Sequence, residues 1–103
     1  MILARGRLAI EAECRRLSVA FAINLDLRNY ELVAGLFAPD AVYNPRGTAF
    51  VGPEGVMRYL LARPAERRTR HIVTNHLVDV LSATAAEGIC FLTYYAHDAA
   101  LPD

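Results

Sequence analysis

The chain has 103 residues, 54% of them apolar, and its 11 basic and 11 acidic residues leave a formal net charge of zero. This length predicts one small domain, and the neutral charge argues against nucleic acid or an anionic membrane as the main partner. No apolar run reaches the roughly 18 residues of a membrane span, and the apolar stretch at the start of the sequence is too short for a signal peptide. Cys14 and Cys90 lie in apolar segments without CxxC spacing, which predicts buried free thiols and a cytoplasmic location.

The first predicted element is a helix from Leu8 to about Leu27. Its apolar positions recur at steps of three and four, namely Ile10, Cys14, Leu17, Phe21 and Leu25. The second half of the helix is apolar all round, which predicts burial on every side. Within that half Asp26 has two interpretations, which the pattern does not separate. It is either a buried carboxylate that is paired or functional, or a residue at the helix end that faces water.

Two short helices and a small hairpin are predicted next. Asn29 is the expected N-cap of a helix that continues through Phe37. Residues 41–44 and 48–51 then form a predicted hairpin around a turn that contains Pro and Gly. A third helix follows from Pro53, since proline suits the first helical position, where no N–H needs a partner.

The segment from Arg68 to Leu81 predicts a long strand, because it is rich in Thr, Ile and Val and contains neither Gly nor Pro. Strict alternation places on one face Thr69, His71, Val73 and Asn75. The same alternation places His76 on the opposite face. Both faces mix polar and apolar residues, which is typical of a pocket wall and also of a half-buried strand whose polar groups are satisfied.

Four arginines lie between positions 63 and 70, just before and at the start of this strand. Such a cluster can bind an anion or form a solvated edge, and charge patterning alone favours the solvated edge. After the long strand, residues 87–97 predict a last strand that is apolar on both faces and therefore covered on both sides. Helices followed by antiparallel strands are the α+β pattern.

The ordered elements and several local motifs resemble the SnoaL-like branch of the nuclear transport factor 2-like superfamily. The motifs are NLDLRNY at residues 24–30, LFAPDAVY at 36–43, FVGPEGV at 50–56 and TRHIVTN at 69–75. The resemblance implies a single domain over residues 1–103. Its fold is expected to be an α+β cone with three N-terminal helices packed on a curved, mainly antiparallel sheet. Such domains continue with a further hairpin, so the last strands of the sheet are expected to be lacking here.

The resemblance also implies a kind of chemistry. Dehydratases, isomerases and cyclases of this superfamily use acid–base groups in an apolar cone, without a metal or another cofactor. By that similarity Asp26 orients or polarises the site and His71 faces the substrate. The candidate hydrogen-bond donors to the substrate are Tyr30, Tyr43, Asn75 and Tyr94. A lone histidine on a strand is more often a structural residue, and that alternative for His71 stays open.

Two functions therefore compete at this point. The first is a lyase or isomerase that acts on a small apolar or aromatic, cyclic molecule. The second is a non-catalytic ligand-binding or dimerisation module, because this fold also hosts members without activity. In either case a homodimer is expected, since the apolar content is high and a sheet without its last strands exposes edges.

Overall fold

The computed structural model describes residues 4–98, with side chains from residue 6, and has the predicted α+β architecture. The helices are α1 (Ala4–Asp26), α2 (Tyr30–Ala34) and α3 (Gly52–Leu61). The strands form two antiparallel ribbons, in which β1 (Val42–Tyr43) pairs with β2 (Phe50–Val51), and β3 (Arg68–Ser82) pairs with β4 (Ala85–His97). All seven elements occur in the predicted order, with helices ahead of the long antiparallel pair.

The hydrophobic core lies where the three helices meet. α1 packs along β3 and against α2, while α3 packs against α2 and the β1–β2 ribbon. The buried centre consists of Leu25, Val33, Ala34, Val56 and Leu60. Aromatic rings in mutual contact surround this centre, namely Phe21, Phe37, Tyr43, Phe50 and Tyr59. Because Leu25 belongs to the core, packing fixes the end of α1 at which Asp26 lies.

Two details of the predicted helices were wrong. α2 ends at Ala34 and is followed by Gly35 as C-cap, so it is shorter than the predicted helix through Phe37. Asn29 is the N-cap of α2, as predicted, although its side chain makes no capping hydrogen bond. The second half of α1 is not buried on every side, since Ile23 is 52% exposed. Its neighbours in the described chain are β3 and α2, which cover only part of its surface.

A β-bulge interrupts the pairing of β3 with β4. The register is regular as far as Thr74, which pairs with Phe91, and it resumes at Leu77, which pairs with Ile89. The two residues 75 and 76 of β3 therefore oppose one residue of β4. Asn75 has a φ of 53°, in the left-handed region that asparagine tolerates better than most residues.

The bulge changes which residues of β3 face α1. Thr69 and His71 face α1 before the bulge, because both bind Asp26. After it, even-numbered residues do so: His76 lies 3.4 Å from the Ser18 hydroxyl of α1, and Val78 is buried. The predicted alternation was therefore wrong beyond Thr74, and His76 lies on the same side of the ribbon as His71.

The prediction that the last strand is covered on both sides was wrong for the part of the chain that the structure describes. Among the exposed side chains of β4 are Ile89, Phe91, Leu92 and Tyr95, and Phe91 is 61% exposed. Phe91 and Ile89 pair with Thr74 and Leu77 on the face directed away from α1. We call this face, formed by Ile72, Leu77, Ile89, Phe91 and Tyr95, the outer face of the β3–β4 ribbon.

The cysteine prediction was confirmed in part. Cys14 and Cys90 are both free, and each is half-buried where full burial was predicted. Between residues 4 and 98, no helix combines the length and the apolar character needed to cross a membrane.

Gly52 is required at the junction of β2 and α3. It has a φ of +67°, and a Cβ at this position would lie 2.6 Å from the carbonyl oxygen of Pro39. We expect Gly52→Ala to lower the free energy of unfolding by about 2 kcal/mol or more, measured by urea denaturation. Gly47→Ala is the matched control, because Gly47 also has a positive φ (+87°) but a Cβ there would meet no atom within 4 Å. Equal losses in the two variants would show that the contact with Pro39 is unimportant.

Candidate functional site

The end of α1 and the start of β3 meet in a hydrogen-bonded group centred on Asp26. Its Oδ1 accepts from the His71 ring nitrogen Nδ1 at 2.5 Å and from the Thr69 hydroxyl at 2.8 Å. Its Oδ2 accepts from the backbone N–H of His71 at 2.7 Å. The side chains of Asp26 and His71 are 9% and 10% exposed. Of the two interpretations of Asp26, the structure therefore supports the buried and paired carboxylate.

The hydrogen bonds determine the charge of Asp26. Burial by itself raises the pKa of Asp26, but the hydrogen bonds from the side chain and backbone of His71 and from Thr69 outweigh burial and lower that pKa below its ordinary value. An ionised carboxylate only accepts hydrogen bonds, so Nδ1 of His71 carries the proton in the bond to Asp26. In a neutral imidazole, Nε2 is then left with the lone pair that can accept a proton.

The Nε2 atom of His71 is open to a cavity. Between residues 6 and 98 no side chain bonds to Nε2, and no buried side-chain nitrogen or oxygen lacks a partner. Nε2 is therefore not enclosed. His71 lines an open cavity of about 300 Å³, which we call the His71 cavity. Its wall also contains four aromatic residues and three arginines, namely Phe21, Tyr43, Tyr59, Tyr94, Arg46, Arg63 and Arg67. The Tyr94 ring stacks on His71 with a centroid distance of 5.2 Å and an angle of 10°, which holds the imidazole in its plane.

Two of the four predicted substrate-binding residues line the His71 cavity, namely Tyr43 and Tyr94. Burial raises the pKa of Tyr43, and the neighbouring Tyr59 adds to this, against the opposing effect of Arg63 and Arg46. The Tyr43 hydroxyl therefore keeps its proton at neutral pH and can donate a hydrogen bond into the cavity.

The structure does not bring the other two, Tyr30 and Asn75, to the His71 cavity. The Tyr30 hydroxyl accepts a hydrogen bond from Arg63 at 2.8 Å, and the Tyr30 ring lines a separate surface pocket with Met57. Asn75 is exposed in the bulge. The positive φ of its backbone, which asparagine tolerates, explains why an asparagine is found there.

Thr69 is a part of the site that the sequence analysis did not single out. It is 4% exposed, donates to Asp26 and accepts from Arg63 at 3.4 Å. The alternation of the strand offered a signal, because Thr69 precedes His71 by two residues and so shares its face. The sequence did not indicate that its hydroxyl meets the end of α1.

An apolar cavity adjoins the His71 cavity. It measures about 310 Å³, and Phe21 and Leu92 line both spaces. We call it the apolar cavity; its other lining residues include Leu17, Leu36, Phe37 and Val73. The pair of cavities suits a ligand with an apolar body and a polar group near His71. Within residues 4–98, no group of three or more His, Cys, Asp or Glu side chains is arranged to hold a metal ion.

The lowered pKa of Asp26 predicts how stability depends on pH. In the acid range the unfolded chain binds more protons than the folded chain, so the contribution of Asp26 is present above its unfolded pKa of about 3.8. This contribution is lost as the pH falls through the lower folded value. We expect the free energy of unfolding, measured by urea titration from neutral pH downwards, to fall less steeply in Asp26→Asn than in the unchanged chain. If the free energy of unfolding fell equally steeply with pH in the variant and in the unchanged chain below the unfolded pKa of Asp26, this would contradict the pairing.

Comparison with known proteins gives a family and a fold. The profile described as SnoaL-like domain matches residues 6–100. Comparison with curated protein sequences finds no significant match. Among solved structures, a candidate scytalone dehydratase from Novosphingobium aromaticivorans is similar to 98% of this chain over 69% of its own length, with a TM-score of 0.84 and 20% identity. This likeness confirms the predicted α+β cone fold.

Two further solved structures are similar to most of the chain. A type 2 hexachlorocyclohexane dehydrochlorinase (LinA) is 26% identical over 91% of this chain and 66% of its own, with a TM-score of 0.84. ActVI-ORFA from Streptomyces coelicolor is 17% identical over 84% of this chain and 69% of its own, with a TM-score of 0.73. The chain thus spans about two thirds of the length of these proteins.

Proposed function

Because the chain belongs to the SnoaL-like domain family, we propose that it is a lyase or isomerase that works without a cofactor on a small, apolar, cyclic molecule. The observation that carries this proposal is the buried Asp26–His71 pair, whose Nε2 is open to the His71 cavity. The names of two similar structures, a dehydratase and a dehydrochlorinase, add support, because each describes an elimination.

In the proposed elimination, Nε2 of His71 takes a proton from a carbon atom of the ligand. The electrons of the C–H bond form a carbon–carbon double bond, and a hydroxide or chloride leaves the neighbouring carbon with its bonding pair. Asp26 holds the proton on Nδ1 and stabilises the imidazolium that forms. The proton on Nε2 then passes to the departing hydroxide as water, or to solvent when chloride leaves.

Two tyrosines complete the proposed site. The Tyr43 hydroxyl, which keeps its proton because burial raises its pKa, donates a hydrogen bond to the departing oxygen. Tyr94 stacks on His71 and lines the cavity beside it. Neither role needs a group outside the residues that line the His71 cavity.

The test uses two probes whose products are easily measured. Hexachlorocyclohexane releases chloride on elimination, and 3-hydroxycyclohexanone forms an enone that absorbs ultraviolet light. We expect the folded protein to accelerate at least one of these reactions over buffer. If it accelerates neither, while a ligand still raises its Tm, the alternative is supported: a non-catalytic ligand-binding or dimerisation module.

We further propose a homodimer that forms through the outer face of the β3–β4 ribbon. This face presents exposed apolar residues in paired positions, and a two-fold axis would set it against the same face of a second copy. We expect sedimentation at high micromolar concentration to show a dimer, and Phe91→Glu to shift it to monomer because the substitution places a charge in that face. Ile23→Glu, a similar change on the exposed side of α1, is the control. A monomeric unchanged chain would contradict the proposal.

A further inference from the structure

The His71 cavity is lined by an unusual amount of positive charge. Arg46, Arg63 and Arg67 all belong to its wall. None of the wall residues that the structure describes is Asp or Glu. The carboxylate of Asp26 is bound by His71 and Thr69 and is not part of the lining. A ligand in this cavity therefore meets guanidinium groups without a carboxylate between them.

Two of the three guanidinium groups lack an acidic partner. Arg67 is neutralised by Asp98, with Nε to Oδ1 at 2.6 Å and Nη2 to Oδ2 at 3.0 Å. Arg63 bonds only to neutral hydroxyls, those of Tyr30 and Thr69. Within residues 6–98 neither Arg63 nor Arg46 forms an ion pair.

The two unneutralised arginines line the same cavity as Tyr43. The positive charge of each lowers the pKa of Tyr43, against the larger effect of burial, which raises it. Arg63 is also held in place, because it donates to the Tyr30 hydroxyl at 2.8 Å and its guanidinium lies 5.6 Å from the centre of the Tyr30 ring. A fixed donor binds an anion at a smaller entropic cost than a mobile one.

We propose that the cyclic ligand of this protein carries on its apolar ring a carboxylate or a similar anionic oxygen group, which Arg46 and Arg63 bind beside Tyr43. Its apolar ring extends past Phe21 and Leu92 into the apolar cavity. Guanidinium groups suit such a group, since they bind carboxylates through paired, charge-assisted hydrogen bonds. The inference rests on the proposed use of the His71 cavity as the ligand site, and it does not depend on turnover.

The test compares a charged probe with a neutral probe of the same shape. Binding of naphthalene-2-carboxylate and of naphthalene-2-carboxamide is measured by isothermal titration calorimetry. We expect the carboxylate to bind about tenfold tighter or more, because hydrogen bonds to charged groups exceed those to neutral groups. Added salt should weaken binding of the carboxylate and leave the carboxamide nearly unaffected.

Substitutions identify the arginines that cause this preference. Arg46→Gln should remove most of the preference, and Arg46→Lys should retain part of it, since the charge remains. Arg46 is exposed, so folding tolerates these changes; Arg63→Gln is a second variant, and Arg16→Gln on the exposed side of α1 is the control. Equal affinities for the two probes, no binding of either at millimolar concentration, or a preference unchanged in both glutamine variants would overturn the proposal. A carboxylate preference without turnover of any probe would overturn the proposed reaction and leave this inference standing.

Discussion

Replacing His71 by alanine is expected to lower kcat/KM by about 10²–10⁴-fold, the usual effect of losing one general acid–base group. The loss should fall on kcat, because in the proposed reaction Nε2 removes the proton from the reacting carbon, while the aromatic wall of the cavity would still bind the ligand. Steady-state kinetics with whichever elimination probe is turned over measures this. The Tm of the variant shows whether the protein remains folded.

The chain offers a matched control for this experiment in His76. It lies on the same strand and the same side of the ribbon, but it contacts Ser18 and is absent from the wall of the His71 cavity. His76→Ala should change kcat/KM little. A similar loss in both variants would mean that His71 acts through the stability of the strand and not through proton transfer.

Asp26 should behave as the partner of His71 and not as an independent group. Asp26→Asn should lower kcat nearly as much as His71→Ala, because an amide no longer secures the proton on Nδ1. The double variant should be little worse than either single variant, since residues that act as a unit are not additive. Additive losses would contradict the pairing.

Replacing Leu60 by alanine is expected to cause the largest loss of stability in the chain. Leu60 is fully buried in the core between α3 and α2. Removing its side chain should lower the free energy of unfolding by about 2–5 kcal/mol, because transfer and cavity costs add. For a domain of this length that is a large share of the total, and the Tm should fall by roughly 10 °C or more.

The next residue supplies the control. Leu61 belongs to the same helix and has the same side chain, but it is 69% exposed. Leu61→Ala should change the free energy of unfolding by less than about 0.5 kcal/mol, the usual scale for exposed positions. Comparable losses for the two leucines would mean that the core is not where the structure places it. Urea denaturation of both variants decides this.

The elements could be predicted because they follow from strong local signals, whereas the pair of Asp26 and His71 was predicted from the resemblance to a family. The apolar stripe of α1 gives a clear helical period, and the run of Thr, Ile and Val without Gly or Pro indicates β3. Asp26 attracted attention because a carboxylate in an apolar helix end is costly unless it is paired. The similarity of residues 69–75 to a family motif then indicated His71 as the partner, and the structure places the two in contact.

What the sequence could not supply depends on contacts between distant residues. Strand alternation cannot reveal a bulge, and Asn75 among β-branched residues was the one local sign of it. An apolar pattern on both faces of β4 also does not distinguish a covered strand from an exposed one. Tyr30 was grouped with the other hydrogen-bond donors because nothing local shows that its hydroxyl accepts a hydrogen bond from Arg63.

The bulge at residues 75 and 76 has a consequence for anyone who transplants this site or redesigns the strand. Because of the bulge, odd-numbered residues such as Thr69 and His71 face α1 in the first segment of β3, and even-numbered residues such as Val78 face it in the second. Deleting Asn75 would remove the bulge and leave a regularly alternating strand in which His76 and Val78 still face α1, whereas deleting a residue from either regular segment would turn part of the strand over. A single insertion or deletion outside the bulge is therefore not tolerable, and a graft of the Asp26–His71 pair onto another scaffold must end before Asn75, carry the bulge with it, or omit its one extra residue.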